Sequence, residues 1–150
     1  MSNENSIGMK ILSADINLKV RFSETDAMGV VWHGNYLKFF EDAREHFGAI
    51  YGMEYLDVYR NGFFTPIVKS EINHKSVVDY GHEVQVIITL TFCAAAKIIF
   101  DYKVINTTTN QIAAVGQTTQ VFMDAKERTL MLNKPDFYET WEKNQNWNIV

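Results

Sequence analysis

Cysteine is almost missing from this chain: Cys93 stands alone among 150 residues. Intrachain disulfides and cysteine-based zinc clusters are thereby excluded, and a reducing cytoplasm is the natural setting. Basic runs are missing as well. With 14 Lys and Arg against 18 Asp and Glu, a net charge of −4, the chain lacks the clustered cations that nucleic-acid phosphates require. No apolar run approaches the ~20 residues needed to cross a bilayer, and the opening MSNENSIGMKILSAD is too polar for a signal peptide. There is no G-x-S-x-G elbow, P-loop or dinucleotide-binding glycine fingerprint. These absences describe a soluble cytoplasmic protein with neither nucleic acid nor membrane as partner.

What is present is apolar material: 47% hydrophobic and 13% aromatic residues, ample for a core in a chain of one-domain length. Ile16, Leu18, Val20 and Phe22 alternate with polar residues at the period of a half-buried strand. After Asn35 the spacing changes. Tyr36, Phe40, Ala43, Phe47 and Ile50 recur four and three apart, which predicts one amphipathic helix ending where Gly52 can adopt a left-handed cap. EYLDVYRNG predicts a short second helix. From Thr65 to Met123 the alternation returns in four runs, about 68–74, 84–92, 97–106 and 111–123, with NTTTNQ as one polar turn. Pro135 and the acidic, aromatic segment after it predict a terminal helix over 135–147.

Strand, helix, then four strands without helices between them is an α+β pattern, an antiparallel sheet with one face covered by a helix. The expected organisation is one domain over 1–150, with a core of about 14–125 and the helical extension 135–147. A single helix leaves sheet edges and apolar surface uncovered, which predicts a homodimer.

The loop TDAMGVVWHGNY carries the chemistry. Asp26 opens a hydrophobic stretch that would be expensive to display to water, and burial makes a carboxylate a better base. The alternative is a turn-stabilising aspartate. His33 and Gly34 precede the helix, where free backbone N–H groups and the positive end of the dipole can hold an oxyanion. Asn35 is the expected N-cap. A carboxylate and an electrophilic helix start suffice for an activated acyl group such as a thioester, whose thiolate leaves readily. Among the other candidates, Cys93 is expected as a packed side chain within a strand. His46 and His82 are expected as surface residues. His74 is expected either in the core or lining a pocket, and His33, His74 and His82 with Asp26 form the one conceivable metal set.

VRFSETDAMGVVWHGNYLKFFEDARE, followed by TPIVKSEINHKSVVDYGHEVQV, resembles the hotdog-fold acyl-CoA thioesterases of the 4-hydroxybenzoyl-CoA thioesterase family, from about Ile16 to Met123. The resemblance implies a long central helix wrapped by a five- to six-stranded antiparallel sheet, paired into homodimers and often homotetramers with active sites between subunits. It implies that Asp26 is the catalytic carboxylate, general base or nucleophile. It implies that the thioester oxygen is received at His33 and the helix start (Gly34, Asn35), and that the strand start at Thr65 and Ile67 lines the acyl pocket; Tyr36 is expected either to shape that pocket with them or to lie wholly in the core. No metal or cofactor is implied beyond the acyl-coenzyme A substrate.

The chain departs from the family where relatives carry Arg, Gly or Ser near the nucleotide end of coenzyme A. CAAAKIIF offers only Lys97, with Lys126 and Arg128 of the DAKERT turn as further phosphate contacts. An acyl carrier protein is therefore a second candidate donor. Another branch of hotdog thioesterases carries its carboxylate on the central helix; here Glu41 stands at ion-pair spacing from Arg44, and a structural role is expected. The alternative to an enzyme is a non-catalytic acyl-binding hotdog dimer. A hydratase would place its Asp and His differently relative to the helix.

Overall fold

The computed structural model describes residues 8–150. The chain runs β1 (Lys10–Lys19), a 3-10 turn (Phe22–Glu24), α1 (Asn35–Tyr51), α2 (Tyr55–Arg60), β2 (Phe63–Phe64), β3 (Ile67–His74), β4 (Glu83–Thr91) and β5 (Lys97–Asn106). It continues with β6 (Gln111–Val121), β7 (Met123–Asp124), α3 (Asp136–Lys143) and β8 (Asn148–Ile149). Six strands form one sheet in the order β3-β6-β5-β4-β1-β8, every neighbouring pair antiparallel. β2 and β7 make a separate two-stranded ribbon.

Alternation dictates which face is covered. Val84, Val86, Ile88 and Leu90 of β4 are buried, and the residues between them are at least partly exposed. Leu12 and Ala14 of β1 and Ile98, Phe100, Tyr102 and Val104 of β5 extend the same apolar face. Onto it α1 lays Tyr36, Phe39, Phe40, Ala43 and Phe47. Burying each large apolar side chain contributes about 1.5–3 kcal/mol. The Phe40 ring stacks on Tyr102 at 4.0 Å between centroids. It fits because β6 has glycine beneath it: a Cβ on Gly116 would stand 2.5 Å from that ring. Gly52 caps α1 at φ 72, its N–H donating to the Gly48 carbonyl.

Several boundaries differ from the sequence expectation. β1 spans Lys10–Lys19, and Phe22, which prolongs its alternation, is 78% exposed because the chain has already turned. Ile50 is exposed at the last turn of α1. Cys93 lies in the β4–β5 connection rather than in a strand, half-buried, with its carbonyl accepting from Lys134 Nζ. The terminal helix packs into the core rather than extending from it, since Tyr138 and Trp141 join the same cluster as α1 and β4. At the sheet edge, β3 is exposed along its length except at the half-buried Ile72.

Candidate active site

The Asp26 loop is a tight hairpin. Gly29 N–H donates to the Asp26 carbonyl (3.0 Å) and Asp26 N–H to the Val30 carbonyl (2.9 Å), with Gly29 at φ 78 where a side chain would be strained. Asp26 Oδ1 accepts the Met28 N–H at 2.8 Å. Oδ2 has no hydrogen-bond partner among the described residues. Of the apolar stretch expected to fold inward, only Val31 is fully buried; Met28 is 80% and Trp32 51% exposed.

The helix start is held from below by Glu24, a buried residue that no sequence pattern marks out. Its carbonyl accepts from Trp32 N–H (2.9 Å) and Asn35 Nδ2 (2.7 Å), and its carboxylate accepts from Arg21 N–H (2.7 Å) with Lys38 Nζ at 3.5 Å. The N-cap is Gly34; Asn35 is the first helical residue and spends its amide on Glu24. Gly34 has no room for a side chain, because a Cβ would meet the Trp32 indole at 2.2 Å. The backbone N–H groups of His33 and Gly34 have no acceptor among the described residues, and the His33 side chain is exposed.

Asp26, His33 and Tyr36 line one cleft of about 380 Å³, together with Val31, His74 and Lys75. Tyr36 meets His74 edge-on at 4.8 Å, and burial pushes its phenol above the ordinary range. The structure thus puts His74 at the cleft; its place on an alternating strand was the signal for it. His82 lies elsewhere, and no three His, Cys, Asp or Glu side chains converge as metal ligands among the described residues.

Thr65 and Ile67 are not in that cleft. They line a larger cavity of about 550 Å³ with Glu41, Arg44, Phe100 and Trp141. The larger cavity is not the one that Asp26 lines. Arg44 donates to the Tyr102 hydroxyl (3.0 Å) and makes no ion pair with Glu41, contrary to expectation. Lys97, Lys126 and Arg128 are exposed and line neither cavity. Lys97 stands opposite Val121 and the other two follow on the turn after β7, at the sheet end where Ile67 pairs with Gln120.

A family model described as the thioesterase-like superfamily matches residues 20–141. The chain belongs to the thioesterase-like superfamily. A relative named "Putative acyl-CoA thioesterase YneP", from Bacillus subtilis (strain 168), is 26% identical over 129 residues, covering 84% of this chain and 93% of its own. Among solved structures, a DHNA-CoA thioesterase from Staphylococcus aureus superposes with a TM-score of 0.77 at 25% identity, covering 87% of this chain and 89% of its own. The 4-hydroxybenzoyl-CoA thioesterase of Pseudomonas sp. strain CBS-3 gives 0.75 at 19% identity, over 86% and 98%. The architecture is the expected hotdog fold, and the reaction class of this superfamily member is thioester hydrolysis. No helix among the described residues is long and apolar enough to cross a membrane.

Proposed function

We propose that the protein hydrolyses acyl-coenzyme A thioesters with Asp26 as its catalytic carboxylate. The observation that carries this reading is that Asp26 lines the same cleft as His33, at a helix start where the His33 and Gly34 N–H groups have no acceptor among the described residues. A thioester oxygen held by those N–H groups gains stabilisation as it becomes an oxyanion. Asp26 Oδ2 then either takes a proton from an attacking water or attacks the carbonyl itself. In both routes the C–S bond breaks and coenzyme A leaves as thiolate. Hydrolysis of the mixed anhydride completes the second route. Single turnover in labelled water separates the two, since the covalent route can leave label in the aspartate. Neither route asks for a metal or cofactor, and the lone Cys93 fits a cytoplasmic setting.

The separation of Thr65 and Ile67 from Asp26 supports a dimer. The 8 residues of β3 span roughly 23 Å from Ile67 to His74, at about 3.3 Å per residue. Antiparallel pairing of β3 with β3 of a second copy would carry the Thr65–Ile67 end of one chain to the His74 end of the other. The acyl wall and the cations Lys97, Lys126 and Arg128 would then come from the opposite copy. Association of such dimers into tetramers is the further step that the family resemblance implies.

The Asp26 Oδ1 bond to Met28 N–H favours a second reading, a non-catalytic acyl-binding dimer in which Asp26 only shapes the turn. Asp26→Asn separates them, because asparagine keeps an oxygen acceptor for Met28 and loses the charge. Thiol release from a panel of short, medium, long and aromatic acyl-CoA esters, with acyl carrier protein thioesters in parallel, is expected to fall by at least ~100-fold in Asp26→Asn. Binding without turnover in either protein would hand the site to the second reading.

A further inference from the structure

One of the ties between the cleft loop and the rest of the fold is backed by a histidine that the proposed reaction does not use. Val31 N–H donates to the Val78 carbonyl (2.8 Å) and Tyr80 N–H to the Gly29 carbonyl (2.9 Å), so 78–80 runs as a short antiparallel partner to 29–31. Asp79, at the centre of that partner, donates its own N–H to His82 Nδ1 at 3.2 Å. Asn106 Nδ2 approaches the same nitrogen at 2.9 Å. Asn106 is fully buried, and its Oδ1 accepts the N–H groups of Thr108 (3.1 Å) and Thr109 (3.2 Å). That fixes the amide orientation, with the NH2 towards His82. Both groups facing Nδ1 are therefore donors. The ring must present a lone pair there and carry its proton on Nε2, which lies 4.0 Å from Asp79 Oδ2.

We propose that His82, locked as a neutral acceptor by buried Asn106, is a positioning residue for the Asp26 loop. The links run from Asn106 to the His82 ring, to the Asp79 backbone, to Val30, and through the Val30 carbonyl to the Asp26 N–H (2.9 Å). Outside the sheet ladders, the His82 carbonyl also accepts Val20 N–H (3.0 Å), so the node joins the end of β1 to the same loop. A proton on Nδ1 would turn the acceptor into a donor facing two donors, and both bonds would be lost. The charged groups around the ring are Asp79 on its own segment, Glu83 at the start of β4, and Lys19 and Arg21 at the end of β1. The β5–β6 turn brings only asparagines and threonines, all uncharged. Of the two carboxylates, only Asp79 comes within 4.0 Å of a ring nitrogen. The role in turnover rests on Asp26 being the catalytic carboxylate; the mechanical tie does not.

Two variants test it. His82→Asn puts a side-chain oxygen near the place of Nδ1, where it can accept from Asp79 and Asn106 and cannot take up a proton. His82→Leu removes the acceptor. Amide hydrogen exchange at Val31 and Tyr80 reads the tie without any substrate. It is expected to speed by about tenfold in His82→Leu and to stay near wild type in His82→Asn. With acyl-CoA ester, kcat is expected to fall about 10- to 100-fold in His82→Leu at little changed KM. His82→Asn should keep turnover near wild type. If His82→Leu does not fold, His82→Asn still decides. Exchange at Val31 and Tyr80 no faster in His82→Leu than in wild type, or as fast in His82→Asn as in unfolded chain, would overturn the proposal. Absence of turnover in every form, with exchange behaving as expected, would sink the Asp26 reading and leave the tie standing.

Discussion

Glu142 is a carboxylate that folding takes out of water. Its side chain is 8% exposed and receives Lys134 Nζ, itself 5% exposed, on both oxygens at 2.9 and 3.0 Å. The ammonium also donates to the Cys93 carbonyl and sits 4.3 Å from the centre of the Phe92 ring. Burial pushes the Glu142 carboxyl up, and the hydrogen bond and charge of Lys134 pull it part of the way back. With the folded value above the unfolded one, the native state holds the extra proton. The contribution of this group to stability is therefore fully present below the unfolded value and is lost as pH rises through the folded one. Lys134→Met takes away the partner and leaves the charge buried, at an expected cost of about 3–5 kcal/mol. The cost should be greatest on the alkaline side and shrink as acid supplies Glu142 with a proton, so urea unfolding at about pH 8 and about pH 5 tests both size and sign. Equal losses at the two pH values would assign the effect to lost packing of the lysine stem instead. Asp26 makes the contrast: it is half-buried, with one oxygen on the Met28 N–H of the turn and the other without a hydrogen-bond partner among the described residues.

Elements whose every residue carries the period are readable from the sequence, and those set by a single contact are not. The stripes of β4 and β5 and the four-and-three spacing of α1 repeat a preference many times over, which is why β5 runs over the expected Lys97–Asn106 and α1 stops at Gly52. Phe22 carries the β1 alternation past the strand's real end, because nothing in the side chains announces that the backbone turns at Arg21. The site divides in the same way. Asp26, His33 and Tyr36 share one short stretch of chain and one cleft, whereas Thr65 and Ile67 fall into the other cavity, a fact decided by which end of β3 they occupy. Glu24, Asn106 and His82 bond to individual backbone groups and, for the last two, to each other, contacts that leave no periodic pattern to find. Gly116 is a further case, a strand glycine explained only by the Phe40 ring above it. Gly116→Ala would bring a Cβ to 2.5 Å from that ring and 2.7 Å from the Glu71 carbonyl. Overpacking of this kind costs about 1–3 kcal/mol. Because Gly116 is paired with Ile72, the loosening should concentrate on β3, with amide exchange rising there before it rises in β4. Uniform acceleration across the sheet would count against that localisation.

At the scale of the whole molecule, β3 is an open sheet edge whose sequence is suited to pairing with itself. Only registers that set odd residues opposite odd ones, and even opposite even, match the two faces across a two-fold axis. An axis at Lys69 would set lysine against lysine, and one at Glu71 glutamate against glutamate. With the axis at Ser70, Lys69 of each copy stands opposite Glu71 of the other, and Val68 opposite Ile72. Within one chain the same two charges already meet at 3.0 Å while both remain largely exposed, so they are free to exchange partners on pairing. Cross-strand pairs of opposite charge contribute about 0.2–1 kcal/mol each, and like charges cost a similar amount. Lys69→Glu turns both symmetric pairs repulsive and is expected to weaken the dimer by about tenfold or more. Adding Glu71→Lys to the same chain restores opposite signs in both pairs and should restore association. Sedimentation of the three proteins over a dilution series measures this. If the proposed dimer forms, with Thr65 and Ile67 of one copy brought to Asp26 of the other, thioester turnover should follow the dimer fraction. Association unaffected by either change would move the interface away from β3, and turnover undiminished in a monomer would mean that one chain holds a complete site.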